Sequence, residues 1–550
     1  MSTPLTLLRG IGITASKAAG PLHYHRSAEK IAPASAGGMQ KKTETERLTD
    51  AISGVKAGLA DLQRRAVESV GESAAEIFEI HAMLLDDEDF RETIDEGLDR
   101  GLSAEGAIEE AVKIFSQRLK ETGDDYLAAR AADLCDISRQ LTDQLSGKGA
   151  SALKSEENDP PYILVAEDLT PSETILLDKS KILGFVTRLG TPNSHTAILA
   201  RAMGIPALVG VGNIPDGLEG AYALLDASLG TLTVSPTRTQ ILDFERRRRE
   251  ESELAREHDR YLRSLMNKPA VTRSGHRMLI YANVGSEEEV AAAFQGGADG
   301  IGLFRSEFLY LSLDHYPTED TLFASYRRAV ENMQGKRIVI RTLDVGADKQ
   351  IPYFDLPHEE NPALGFRAVR ICLAREEVFK TQLRAILRAS AFGTVSVMIP
   401  MIVSAEEVRD CRRLLEECKA ELSRQGIDYD AGIEFGIMIE TPAAAIMSDE
   451  LAAEVDFFSV GTNDLTQYTL AADRQNAALD TLCERNRDPV LRLIEGAARA
   501  IHERGGWIGI CGELAADLCL TQRFADMKID ELSVSVPYLL GVREKVIECK

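Results

Sequence analysis

The spacing of apolar positions changes along the chain, and the changes divide it. Leu5 to Thr14 alternates as a strand does, and the mixed stretch Pro21-Leu22-His23-Tyr24-His25 after it predicts histidines at the surface. From about 33 to 148 apolar residues recur at helical spacing with almost no proline, and breaks at Gly71, Gly101, Gly123 and Gly147 predict a bundle of about four helices. Ser155-Glu156-Glu157-Asn158-Asp159-Pro160-Pro161 reads as a linker. Beyond it the pattern predicts a strand at Tyr162 to Ala166, a helix opened by Pro171-Ser172-Glu173-Thr174, and a strand at Ile182 to Thr187. A helix opened by Ser194 and closed by Gly204 comes next; Pro206 forbids its continuation, and a buried strand follows. Alternating strands and helices predict an α/β domain. The N-terminal strand has no partner before it, so it is expected to complete this sheet, which makes the bundle an insertion in the α/β domain.

Ile241 to Asn267 predicts a charge-laced connecting helix, with Arg246/Glu250, Arg247/Glu251 and Arg249/Glu253 four apart and Pro269 ending it. The rest alternates strand and helix. Strand-like runs near 278–284, 300–304, 337–341, 395–401, 434–440, 457–461, 507–511 and 531–536 supply the eight strands that a (β/α)8 TIM barrel requires.

Charge narrows the partners. With a formal net charge of -24 the chain repels a phosphate backbone, which argues against nucleic acid and for a basic protein partner. The acidic run Asp86-Asp87-Glu88-Asp89 is read as a solvated face or as a docking surface for such a partner. The Arg246-Arg247-Arg248-Arg249 run is cancelled by Glu250-Glu251-Ser252-Glu253. The first twenty residues lack a basic lead-in and are interrupted by Arg9, so they do not read as a signal peptide; with no apolar run of membrane-spanning length, a cytoplasmic protein is expected. Eight scattered cysteines show no ligand spacing and read as reduced thiols.

Candidate chemistry sits at two places. His195 lies in the first turn of the Ser194 helix, where free backbone N–H groups and the helix dipole favour an anion on or near the imidazole. That field is worth only ~0.3–2 kcal/mol, so the chemistry must be housed elsewhere. In a (β/α)8 barrel it belongs at the C-terminal ends of the strands. There the sequence puts Arg305, Arg341, Glu440, Asn463, Asp464 and Cys511. With Lys349, Arg367 and Arg474 the arginines are expected to form a basic pocket for a ligand carrying phosphate and carboxylate groups, which a guanidinium grips bidentately. Glu440 and Asp464 suit Mg²⁺, which takes one or two protein carboxylates beside substrate oxygens. An ordinary thiol titrates at about 8.5, and Glu513, if close, would keep Cys511 protonated and able to donate a proton.

These residues carry a resemblance. Asn193-Ser194-His195-Thr196 with Ala200-Arg201, Gly302-Leu303-Phe304-Arg305-Ser306-Glu307, Ile340-Arg341-Thr342-Leu343-Asp344, Asn361-Pro362-Ala363-Leu364-Gly365-Phe366-Arg367, Met438-Ile439-Glu440-Thr441-Pro442, Gly461-Thr462-Asn463-Asp464-Leu465 and Cys511-Gly512-Glu513-Leu514 resemble the motifs of the PEP-utilising enzymes. Over essentially its whole length the chain is similar to the enzyme I branch of that family, which serves sugar phosphotransferase systems. The resemblance implies a phosphohistidine α/β domain at 1–32 and 149–237, a helical carrier-docking domain at 33–148, a linker helix at 238–268 and a phosphoenolpyruvate-binding barrel at 269–550. It implies that phosphoenolpyruvate, held by Arg305, Arg341, Asn463 and Arg474 with Mg²⁺ on Glu440 and Asp464, phosphorylates Nε2 of His195. Cys511 would then protonate the enolate to pyruvate, and phospho-His195 would pass the group to the histidine carrier protein HPr. Thr174 is the candidate acceptor for Nδ1–H, the linker helix the candidate pivot, and a homodimer through the barrel is implied. Two features depart from the family: Gly190-Thr191-Pro192-Asn193 replaces a glycine-richer, basic lead-in, and Ala347 stands where a glycine is common. A pyruvate phosphate dikinase or phosphoenolpyruvate synthase would need a nucleotide-binding domain, and no glycine-rich phosphate loop is visible. The altered lead-in also leaves open an inert regulatory paralogue.

Overall fold

The computed structural model describes residues 6–25, 41–70, 72–121, 125–146, 160–178, 180–191, 194–215, 217–311, 313–346, 351–474, 476 and 479–550. It divides into two compact units, 1–253 and 254–550. Among the described residues, no helix is long and apolar enough to cross a membrane.

The first unit is built on an eight-stranded sheet among the described residues, in the order β1-β8-β7-β3-β4-β5-β6-β2. Its strands are β1 (Thr6–Arg9), β2 (Ile11–Gly12), β3 (Lys17–Tyr24), β4 (Tyr162–Ala166), β5 (Ile182–Thr187), β6 (Ala207–Val209), β7 (Tyr222–Asp226) and β8 (Thr231–Val234). The N-terminal segment does complete this sheet: β3 runs parallel to β4, with Leu22 opposite Ile163, and β1 pairs antiparallel with β8. The expected single strand from Leu5 to Thr14 is corrected to two, which lie at opposite edges of the sheet. They part at Gly10, where an added Cβ would stand 2.6 Å from a methyl of Val211 and 2.9 Å from the carbonyl of Val209. The mixed segment at 21–25 is likewise corrected to the end of β3. Leu22 is buried; His23 is exposed as expected, whereas His25 is only 19% exposed and meets Glu173 at 3.1 Å. The 155–159 part of the expected linker lies outside the described residues.

Between β3 and β4 run α1 (Lys41–Val70), α2 (Glu72–Leu84), α3 (Glu88–Asp99), α4 (Ala104–Glu121) and α5 (Asp125–Leu145), five described helices where about four were expected. The extra break comes from the acidic run. Asp87 is the N-cap of α3, its carboxylate accepting from Phe90 N at 2.8 Å, and Asp86 pairs with Lys56 at 2.5 Å. Part of that run therefore serves the local fold. The bundle and one face of the sheet share a continuous core that includes Leu59, Phe78, Ile108, Ile137, Leu164 and Phe185. Two short helices complete the α/β part, α6 (Pro171–Ile175) and α7 (His195–Met203).

Helix α8 (Arg238–Leu265) starts three residues earlier than expected. Its ion pairs differ from the expected arginine-to-glutamate set: Arg246 pairs with Asp243 and Arg249 with Glu245, while Glu251 turns to Lys17 of β3. An acid placed on the N-terminal side of its base is the favoured orientation along a helix dipole.

In the second unit β9 (Leu279–Val284), β10 (Gly300–Arg305), β11 (Ile338–Arg341), β12 (Val395–Ile399), β13 (Glu434–Ile439), β14 (Phe457–Val460), β15 (Trp507–Ile510) and β16 (Glu531–Val534) form a closed parallel barrel. Closure is made by β16 on β9, with Leu532 opposite Ile280. All eight strands fall where the sequence predicts them. Helices between them bury the outer strand faces in one large core, and Leu303, Val339, Met398, Met438, Phe457 and Cys511 pack inside the barrel.

Candidate active site

The loops at the C-terminal ends of β10, β11, β13, β14 and β15 surround a cavity of about 750 Å³. It is lined by Arg305, Arg341, Arg367, Glu440, Asn463, Asp464, Arg474 and Cys511, so the barrel brings together every strand-end residue that the sequence singles out. Lys349 lies outside the described residues. The lining also contains Glu307, Asp344, Arg487 and Asp517, which sequence reasoning did not assign, and Glu513, which it set near Cys511.

These additions change the charge picture of the cup. Among the described lining residues six carboxylates stand beside five arginines, so the expected arginines do not stand alone in the cup. Most are paired: Arg341 bonds Glu307 at 2.6 Å and Asp344 at 3.0 Å, Arg367 bonds the other oxygen of Asp344 at 2.8 Å, and Arg474 bonds Asp464 at 3.0 Å. Asp344 thus bridges two arginines, and Arg341, Arg367 and Asp344 are all less than 9% exposed. Desolvation works against each charge, and the opposite charges beside it win: Arg341 and Arg367 are raised and Asp344 is lowered. Spacing could have revealed Glu307 and Asp344, since each follows a cavity arginine by two or three residues.

What the pairing leaves over defines the site. Nε of Arg305, Arg341 and Arg367 are buried and without a hydrogen-bond acceptor among the described residues. A buried donor left unmatched costs about 1–3 kcal/mol, and all three belong to arginines that line the cavity, which suits it to an anionic ligand. Asp464 Oδ1 is likewise unmatched, and it lies 4.0 Å from Arg367 Nη1. Glu440 is 1% exposed; one oxygen accepts from Met401 N at 2.6 Å, and the other borders Gly461, whose Cβ would come within 2.8 Å of it. Burial and the charges of Asp464 and Asp344 push Glu440 above the usual carboxylate range. Glu440 beside Asp464, with the spare Asp464 Oδ1, fits a small divalent cation of the Mg²⁺ kind, which takes one or two protein carboxylates and keeps several waters.

Asn463 is tied to the next strand's loop: its Nδ2 donates to Glu513 Oε1 at 3.2 Å, and its Oδ1 accepts from Glu513 N at 2.9 Å. Glu513 is therefore engaged with Asn463. Cys511 is pushed up to about 12 chiefly by burial, with Glu531 and Glu440 adding to it, so the thiol is protonated as expected but through burial and other carboxylates. Its Sγ–H donates to Val460 O at 3.5 Å.

In the first unit, α7 is set as the sequence predicts. Ser194 Oγ accepts from Ala197 N at 3.3 Å, and Gly204 ends the helix with φ 67°. His195 is the first helical residue, beside a buried Thr196 whose hydroxyl donates to Leu169 O. Thr174, on α6, is fully buried and donates to Thr170 O at 2.8 Å, which leaves its oxygen free to accept as well.

Comparison with known proteins agrees with this geometry. Residues 259–550 match the model of the PEP-utilising enzyme PEP-binding domain, 158–230 the mobile domain, and 9–130 the N-terminal domain of PEP-utilising enzymes. The phosphoenolpyruvate-protein phosphotransferase of Priestia megaterium is 38% identical over 518 residues, covering 92% of this chain and 89% of its own. The protein of that name from Geobacillus stearothermophilus is 39% identical (92% and 87% covered), and that from Haemophilus influenzae 42% (90% and 86%). Three domain matches in order, and relatives that align along nine-tenths of the chain, establish that it belongs to the PEP-utilising enzyme family.

Proposed function

We propose that this chain is a phosphoenolpyruvate-protein phosphotransferase that works in two steps. Phosphoenolpyruvate binds in the barrel cup, where Arg305, Arg341, Arg367 and Arg474, with Lys349 and Asn463, grip its phosphate and carboxylate. Glu440 and Asp464 hold Mg²⁺, which when bound offsets negative charge on the phosphoryl and enolate oxygens. Nε2 of His195 attacks phosphorus: the P–N bond forms, the bridging P–O bond breaks, and its electron pair passes to the enolate oxygen. Arg341 and Arg367, already fixed by Glu307 and Asp344, meet that charge without having to reorganise. The enolate collapses to pyruvate as C3 takes the proton of Cys511. For attack Nε2 must be unprotonated, and Thr174 accepts Nδ1–H to fix that tautomer. Phospho-His195, in the domain formed by 1–32 and 149–237, then passes the group to an HPr-like histidine carrier docked on residues 33–148, with the 238–268 helix as the pivot between steps. The barrel domain, 269–550, pairs two copies into a homodimer, and the relay runs in the cytoplasm, where its unpaired thiols stay reduced.

The observation that carries this reading is the cup itself, which brings Arg305, Arg341, Arg367 and Arg474 to one cavity with the buried Glu440, Asp464 and the Cys511 thiol. Incubation with phosphorus-labelled phosphoenolpyruvate and Mg²⁺ tests it. Wild-type chain is expected to become labelled and His195→Ala to remain unlabelled; label on both, or on neither, overturns the assignment.

A further inference from the structure

Below Cys511 the barrel interior turns polar. Strand β16 brings in Glu531 and Ser533, and β14 brings in Ser459, all 1% exposed or less. Register sets Ser459 opposite Gly509 of β15 and Gly509 opposite Glu531, so these positions lie side by side on adjacent strands. Gly509 makes room for the carboxyl group: its Cβ would stand 2.0 Å from Glu531 Oε2. Gly302 of β10 does the same, with a Cβ 2.1 Å from Glu531 Oε1 and 2.6 Å from Ser533 Oγ. Two strands therefore give up side chains to admit one acid into the barrel.

That acid is poorly satisfied for a structural group. Glu531 Oε1, Ser533 Oγ and Ser459 Oγ have no hydrogen-bond partner among the described residues. Ser533 faces the Glu531 carboxyl, and Ser459 faces the Cys511 sulfur. On one side Cys511 is within reach of Glu531's charge; on the other Tyr281 of β9, opposite Ser533 in register, feels the charges of Glu531 and of the Arg337–Glu434 pair, which meets at 2.9 Å and is 25% and 31% exposed, and its ring flanks Gly300 beside the Arg337 carbonyl. Arg337 and Asp530 are the other charges that face Glu531, and they act in opposite directions. Burial dominates and raises Glu531 to about 8, so at neutral pH it holds its proton. Polar groups thus flank both ends of the step from thiol to acid, Ser459 at Cys511 and Ser533 at Glu531.

We propose that Glu531 is a proton store inside the barrel, which reprotonates Cys511 after each turnover through Ser459 and Ser533 and is refilled from the Tyr281 side. The inference rests on Cys511 being the donor to C3. When S–H breaks and C3–H forms, the thiolate takes the Glu531 proton, and the Glu531 carboxylate recovers one from solvent past Tyr281. The cup need not open for the thiol to be restored. A buried neutral acid is suited to this, since in its charged form it would oppose the thiolate above it.

Two exchange rates, measured on the full chain with Mg²⁺ and no carrier, separate the possibilities. In exchange of carbon label between pyruvate and phosphoenolpyruvate the departing pyruvate carries one proton away and the methyl of the incoming pyruvate returns another to sulfur, so no resupply is needed. Uptake of deuterium from D₂O into C3 needs the thiol to exchange with solvent. In Glu531→Gln, which keeps the shape of the neutral acid, carbon exchange is expected to stay within about twofold while deuterium uptake per carbon exchanged falls at least about tenfold. Tyr281→Phe is expected to lower the same ratio. A ratio unchanged in both variants overturns the store, as does an equal fall of both rates, which marks a structural role. Full carbon exchange in Cys511→Ala overturns instead the reading beneath it. If Glu531→Gln does not fold, the ratio in Tyr281→Phe decides.

Discussion

At the scale of single residues, Asp344 holds the cup in shape. It is 7% exposed and bonded to Arg341 and Arg367 at once, so Asp344→Asn leaves two buried guanidiniums short of one charge. Breaking a buried pair in this way costs about 3–5 kcal/mol. The variant should lose about that much stability in denaturant titrations followed by barrel-specific fluorescence at Trp507, and should fail to label His195 from phosphoenolpyruvate. A variant as stable as wild type would show that the arginines find other partners. Asp344 also marks where reading a sequence for chemistry runs short. Arg305, Arg341, Glu440, Asp464 and Cys511 are legible because they end strands, whereas a residue that acts by pairing with another is visible only once the loops fold together. The same blindness hid the carboxylates that pair with Arg341 and Arg367.

At the scale of elements, α6 shows how a cap can set an acid limit. Thr170 and Glu173 form a reciprocal capping box, and Glu173 also meets His25 at 3.1 Å and Arg139 at 2.6 Å. Burial raises Glu173, but the bonds from His25 and Thr170 N and the charge of Arg139 outweigh it and bring the carboxyl down to about 2. A carboxyl lowered from its ordinary 4.5 binds fewer protons in the folded state than in the unfolded one. Its stabilisation is complete above about pH 4.5 and is lost as pH falls toward 2, on the order of 3 kcal/mol in all. Urea midpoints from pH 7 to 2 should therefore converge for wild type and Glu173→Gln at the acid end; parallel curves would count against the link. The helix start itself was legible, since Pro171-Ser172-Glu173 follows a threonine. Its partner strand was not. Proline at position 21 interrupts the alternation of β3, and β7 and β8 are only five and four residues long, too short for a periodic signal against the glycines around them. The barrel strands read clearly because their runs are buried, rich in branched residues and regularly separated by helices.

At the scale of the whole molecule, one number shapes how it meets other proteins. A formal charge of -24 puts a negative field around a chain whose proposed second substrate is itself a protein. Such a field speeds the encounter of a basic partner by about 10–10³-fold at low salt, and the gain fades once the Debye length shrinks to about 3 Å at 1 M. The two proposed half-reactions should then respond differently. Phosphoenolpyruvate is gripped inside a cavity by arginines already fixed on carboxylates, where screening reaches poorly. The carrier meets an open surface. Stopped-flow measurement of transfer from phospho-His195 should show the second-order rate falling by about tenfold or more between 0.02 and 0.5 M salt, with the single-turnover rate inside the preformed enzyme–phosphoenolpyruvate complex changing far less. A carrier step indifferent to salt would mean that docking on 33–148 depends on apolar contact and that the acidic character of the chain serves solubility instead.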